Sequence, residues 1–195
     1  MKVIGLTGGI AVGKSEVAKI FRKHNIPVFD ADAAVREIYQ NGVGAKYLQS
    51  KFPSAIIDGS VDRKKLSEII AAHPSRLTDI ENIIHPLVRQ AESDFLSRAR
   101  SNDEGVVIID SPLLIETNHY KEMDATILVD ASSELQTKRA MLRPNMTEEK
   151  LALIMAKQMT SNEKRKLSNF IIENNGSLKK LETQTAAIIA KIREI

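Results

Sequence analysis

The sequence predicts an α/β fold: a doubly wound, five-stranded parallel sheet carrying two helical excursions. Three observations lead there. Short apolar runs rich in β-branched residues alternate with stretches of helical periodicity, the pattern of strands and crossover helices. The first run passes through a glycine-rich turn, GGIAVGKS at residues 8–15, directly into a helical pattern. Two long segments, 62–100 and 132–166, show helical spacing and no strand.

Taken in order, KVIGL (2–6) is a buried strand, and Lys14 to Lys23 carries Val17, Ala18, Ile20 and Phe21 at helical intervals. PVFDAD (27–32) is a second strand, entered by Pro27 and closed by acids, and Ala33 to Tyr39 reads as helix. Residues 62–100 place Leu66, Ile69 and Ile70, then Leu77, Ile80, Ile84, Leu87, Ala91 and Phe95 at helical spacings. Pro86 falls mid-pattern and is expected to kink the helix near His85. VVIID (106–110) has the β-branched run of a strand buried on both faces, and ATILVD (125–130) is a fourth strand. NFIIEN (169–174) is a fifth, stopped by the turn signal Asn-Asn-Gly. Ser177 is a plausible cap for a last helix carrying Leu178, Leu181, Ile188, Ile189 and Ile192. The expected organisation is one domain over 1–195: a core of 1–60, 101–131 and 167–195, a helical insertion at about 61–100, and a helical lid at about 132–166.

Composition narrows the function. The net charge of +3 suits a small anionic substrate and is too weak to argue for nucleic acid. The absence of cysteine excludes disulfides and thiolate metal sites. No apolar run approaches the ~18 residues of a membrane span, and the start lacks the pattern of a signal peptide. A cytoplasmic protein, free of membrane and nucleic acid and monomeric or weakly homo-oligomeric, is the expectation.

Gly8-x-x-x-x-Gly13-Lys14-Ser15 matches the Walker A pattern, with a strand before it and a helix after. Glycines let successive backbone N–H groups turn inward toward phosphate oxygens, and the helix N-terminus adds its dipole. Gly9, Ala11, Val12, Gly13, Lys14, Ser15 and Glu16 are thus expected around ATP, with Lys14 reaching the β- and γ-phosphates. The Ser15 hydroxyl can ligate Mg²⁺, and Asp110, closing VVIID in the manner of a Walker B strand, can join it. A GTPase would need Asn-Lys-x-Asp after a strand, and ATILVDASSE offers none. A small-molecule kinase needs an acceptor site near the second strand and an arginine-bearing lid. Asp30 and Asp32 close that strand, where a carboxylate could take a hydroxyl proton; Asp32 reads equally well as the cap of the next helix. The lid candidate runs through Gln136, Lys138, Arg139, Arg143, Lys157 and Arg165. Arg139 and Arg143, four apart on one expected helix face, would stabilise the transferred phosphoryl, while Lys150 and Lys164 read as solvated.

Together these stretches resemble the dephospho-coenzyme A kinase family. GLTGGIAVGKS, PVFDADAAVREI, DGSVDRKKL, IENIIHPLV, IIDSPLLIE and FIIENNG match family segments in order along the chain. The resemblance implies ATP-dependent phosphorylation of the ribose 3′-hydroxyl of dephospho-CoA. It implies that Asp32 is the acid–base and that Lys14 and the lid arginines handle the phosphoryl. It also puts His85, Asp110, Pro112, Leu113 and Leu114 on the acceptor side, and Asn175 near the ATP base. Ala11 and Val12 replace the family's usual Gly and Ser, Glu16 stands where Thr is common, and Pro144 follows Arg143 where Asp is common. Another small-molecule or nucleoside monophosphate kinase, or a nucleotide-binding regulator, are the alternatives.

Overall fold

The computed structural model describes residues 1–195. In chain order its first elements are β1 (Lys2–Gly8), α1 (Lys14–Lys23), β2 (Val28–Asp30), α2 (Ala31–Gln40), α3 (Val43–Leu48), β3 (Ile56–Ile57), β4 (Ser60–Val61), α4 (Arg63–Ala72) and α5 (Leu77–Ser101). There follow β5 (Val106–Asp110), β6 (Ala125–Asp130), α6 (Ser133–Met141), α7 (Glu148–Ala156), α8 (Ser161–Lys166), β7 (Phe170–Glu173) and α9 (Leu178–Glu194). The chain forms two units, Met1–Phe29 with Ala99–Ile195, and Asp30–Arg98. No helix is long and apolar enough to cross a membrane.

The first unit is built on a five-stranded sheet of order β2-β5-β1-β6-β7, with β1 parallel to β5 and β6, and β6 parallel to β7. Every residue of β5 and β6 is buried, as expected of central parallel strands covered on both faces. Alternate residues Ile4, Leu6, Ile108, Ile127 and Val129 meet Val17 and Phe21 of α1 and Ile188 and Ile192 of α9. From the other face Leu114 comes so close to Gly5 that a β-carbon there would overlap it. Helices α6, α7 and α8 each start on a hydroxyl cap, from Ser132, Thr147 and Thr160. Ser177 caps α9 as its sequence predicts, its side chain accepting from the Lys180 N–H.

The second unit has its own core of Ile38, Leu48, Phe52, Val61, Leu66, Ile80 and Ile84. It begins earlier than the sequence suggests, at Asp30 instead of about residue 61. The predicted strand 27–32 stops at Asp30 because that carboxylate accepts the Ala33 N–H at 2.8 Å and starts α2. Asp30, not Asp32, is therefore the helix cap. Strands β3 and β4 form an antiparallel hairpin missed from sequence, since two-residue strands carry no periodicity. Their turn is Asp58-Gly59, both with positive φ, the backbone a two-residue hairpin needs. Helix α5 continues through Pro86, which lies with His85 on an exposed surface. Asn82, whose carbonyl loses its donor to the proline, is exposed too, so water can replace the missing bond.

Candidate active site

β1 delivers the chain into residues 8–15 at the carboxyl end of the sheet, and Gly13, at φ 96°, turns it into α1. Ala11 is also left-handed, at φ 60°, in a buried position. Lys14 lies at the start of α1 and reaches Asp110 at the end of β5, forming an ion pair with side chains 14% and 3% exposed. The pairing follows from strand register, because Asp110 sits opposite Leu6, on the strand that feeds the loop. Ser15 and Glu16 are exposed. The Glu16 carboxylate is drawn along the helix to Lys19 at 2.8 Å, so its charge is partly answered there.

Three side chains that sequence reasoning did not assign to the loop hold its backbone. The Asn174 amide donates to the Val12 carbonyl at 2.8 Å in a buried setting, and Gly13 lacks a β-carbon where that amide lies. Gln136 donates to the Ile10 carbonyl at 2.8 Å, and Gln158 accepts the Ile10 N–H at 3.1 Å. The Asn-Asn-Gly signal pointed at the first of these, but as a turn. Nothing in the periodicity marks the glutamines. Asn175, expected near the base, is exposed and accepts the Ser132 N–H at 2.7 Å, fixing the approach to α6.

The basic segment divides into residues with and without protein partners. Arg139 is half-buried, and its Nη1 is buried with no hydrogen-bond partner. Arg143 is exposed and lies beyond α6, which ends at Met141; Pro144 disfavours helix at the residue before it, so the two arginines do not share a helix face. Arg165 is occupied: hydrogen bonds to Glu173 at 2.8 Å and to Asp130 at 2.7 Å hold its pKa above the usual guanidinium value. Ser161 also donates to Asp130, at 2.5 Å, which ties α8 to β6. Lys150 is exposed as expected, but Lys164 is not solvated: it is 1% exposed, its Nζ 2.8 Å from Glu116 in a poorly directed ion pair. Short helix α8 presses that face inward. Glu116 also accepts the Met159 N–H at 2.9 Å.

Of the residues expected on the acceptor side in this unit, Pro112 is half-buried and accepts from the Thr7 hydroxyl at 3.3 Å, and Leu113 is exposed. Leu114 is fully buried against Gly5, so its side chain is core and not lining. In the second unit Asp32 is exposed in the first turn of α2, where the helix dipole favours its charge. Asp30 is occupied by its cap and lies 4.0 Å from Arg36. His85 is exposed on α5.

A Walker loop charge-paired to the end of the neighbouring strand is the frame of a phosphoryl-transfer site, and comparison with known proteins narrows it. Residues 2–180 match the dephospho-CoA kinase family profile. The chain belongs to the dephospho-CoA kinase family. The dephospho-CoA kinase of Mesorhizobium japonicum is 43% identical over 193 residues, covering 99% of this chain and 98% of that one. A crystal structure from Thermus thermophilus superposes with a TM-score of 0.84 at 34% identity, covering 98% of this chain and 97% of the other. The dephospho-CoA kinase of Campylobacter jejuni, 24% identical, shares the fold with a TM-score of 0.74 over 98% of this chain and 97% of its own. Membership in the dephospho-CoA kinase family makes the chain a P-loop kinase that uses ATP as co-substrate.

Proposed function

We propose that this chain transfers the γ-phosphoryl of ATP to the 3′-hydroxyl of dephospho-CoA, giving coenzyme A and ADP. The observation that carries the transfer is Lys14, set by the loop at the start of α1 and paired to Asp110. Residues 8–15 cradle the triphosphate through backbone N–H groups, and Lys14 supplies charge to its β/γ oxygens. The unpartnered Nη1 of Arg139 supports a role in binding the equatorial oxygens of the transferred group, with Arg143, just beyond α6, joining it as the segment 132–166 covers the site as a lid and excludes water. Asp32, exposed and not engaged in capping, orients the acceptor hydroxyl and takes its proton. His85, Asp110, Pro112 and Leu113 serve the acceptor side, and the Asn175 turn the ATP base.

Mg²⁺, when bound, neutralises charge on the β- and γ-phosphate oxygens. Ser15 and Asp110 would hold it. One hydroxyl and one carboxylate from the protein suit an ion carried largely by the triphosphate and water. A cytoplasmic monomer or weak homo-oligomer is part of the same proposal.

Mass spectrometry of a reaction with ATP, Mg²⁺ and dephospho-CoA tests the proposal. A product one phosphoryl group heavier than dephospho-CoA is expected. Turnover only with a nucleoside monophosphate or a sugar acid, or stoichiometric ATP binding without any acceptor turnover, would overturn it.

A further inference from the structure

Ile10 sits at the apex of the phosphate loop, and both of its peptide groups are taken by side chains. Its N–H goes to Gln158 and its carbonyl to Gln136. Because Ile10 N–H can only donate and its C=O only accept, the orientation of both glutamine amides is settled by chemistry. The Ile10 amide therefore faces Gln158, and the amides that follow it are the ones left for phosphate. Gly9 belongs to the same arrangement, since a β-carbon there would sit 2.7 Å from the Gln136 amide nitrogen.

The two glutamines come from the helical segment that carries Arg139. Gln136 lies on α6, three residues before Arg139 and four before Ala140, hence on the same side of the helix. Gln158 follows the end of α7, and its neighbour Met159 is anchored on Glu116. A small apolar cluster reinforces the contact: Ala11 packs with Ala140 and Leu151, flanked by Ile10 and Met146. The loop apex is thus joined to α6 by one hydrogen bond and to the stretch after α7 by another, with a patch of core beside them.

We propose that Gln136 and Gln158 are positioning residues for phosphoryl transfer, which set the phosphate loop and Arg139 in one fixed relation by holding Ile10 between them. This rests on the reading of residues 8–15 as the ATP loop. This role needs no contact between either glutamine and the reacting atoms. They act through the loop backbone and through α6, and misplacing either by about 1 Å is enough to cost ~10²-fold in rate.

The two residues use opposite halves of the same amide, which supplies the test. A glutamate at 158 still offers an oxygen to Ile10 N–H; a glutamate at 136 presents an oxygen to an oxygen. Both carry the same added charge. The full chain is assayed as Gln136→Glu, Gln158→Glu, Gln136→Met and Gln158→Met. The readouts are kcat, KM for ATP and for dephospho-CoA, ATP Kd by calorimetry without acceptor, and Tm. Both Met variants should lose about 10- to 100-fold in kcat and bind ATP more weakly, with KM for dephospho-CoA little moved. Gln136→Glu should fall about tenfold further in kcat than Gln158→Glu, the scale of one part-buried hydrogen bond left unmade. Equal losses in the two Glu variants would mean charge, not the hydrogen bonds, is responsible. Met variants with normal kcat and only a lowered Tm would mean the glutamines merely stabilise the fold. Either result overturns the proposal. If the unaltered chain does not phosphorylate dephospho-CoA, the proposed reaction fails. The order of ATP Kd values, Gln136→Glu weaker than Gln158→Glu or not, then decides the positioning role independently.

Discussion

Lys164→Met tests the least expected contact in the molecule. Lys164 is 1% exposed and its Nζ lies 2.8 Å from Glu116 Oε1, while the Glu116 side chain is itself only 13% exposed. Oε1 is also held by the Met159 N–H, and Oε2 is buried with no hydrogen-bond partner. Methionine keeps the volume of the lysine stem and removes the charge, leaving the carboxylate buried without its cation. Breaking a buried pair in this way costs about 3–5 kcal/mol. At roughly 2–4 °C per kcal/mol for a chain of this size, Tm should fall by about 6–20 °C. The second arm is Lys164→Met with Glu116→Gln, which removes both charges but keeps an oxygen for Met159. It should recover most of the loss, and with Glu116→Gln alone completing the cycle the coupling energy should be well beyond that of a surface pair. Thermal melts at low and high salt are the assay, and the drop should persist at high salt because a buried pair is little screened. A loss below about 1 kcal/mol, the range of exposed ion pairs, would show that the pair contributes as a surface contact and that the reasoning from burial is wrong.

Lys14→Ala should leave the fold intact by circular dichroism and remove most of kcat, since no other loop side chain supplies charge to the β/γ oxygens; near-normal turnover would defeat the reading of the loop. Asp32→Asn should lower kcat by about 10²–10⁴-fold with little change in ATP affinity, as for loss of a general base; if Asp30→Asn is inactive and Asp32→Asn is not, the wrong carboxylate has been chosen. Arg139→Lys should reduce kcat more than it raises KM for ATP, because lysine keeps the charge but loses the planar fork. Hydrogen bonds from the Thr160 hydroxyl and N–H hold the Glu163 carboxyl below its ordinary pKa in the capping box of α8. That stabilisation is complete above the ordinary glutamate value of about 4.3 and is lost as pH falls through the lower folded value. Glu163→Gln should therefore melt below the unaltered protein at pH 7, with the gap closing on acidification.

The sheet was legible because its signals are strong and local: VVIID and ATILVD occupy the strands they predict, residue for residue. The phosphate loop was legible because its chemistry demands a fixed spacing. What escaped notice depends on contacts across the chain. Lys164 looked solvated because its neighbours are Asn162, Glu163, Arg165 and Lys166, and only the distant Glu116 gives it a reason to be buried. Gln158 and Ile10 are 148 residues apart, and nothing at either position announces the other. Local competition explains two further differences. Asp30 outcompeted Asp32 as the cap of α2 and shortened the strand before it, and Pro144 cut short the helix that was to carry Arg143.

Ala11 bears on how this loop can change over generations. A left-handed alanine costs roughly 1–2 kcal/mol against glycine, while burying its methyl among Ala140 and Leu151 returns about 0.8 kcal/mol. Reversion to glycine thus frees the backbone and opens a methyl-sized gap beneath α6. The order of substitutions then matters. A larger residue at 140 meets the methyl if it comes first and fills the vacated space if it comes second. Positions 11, 140 and 151 share one space, so what each tolerates depends on which residues already stand at the other two.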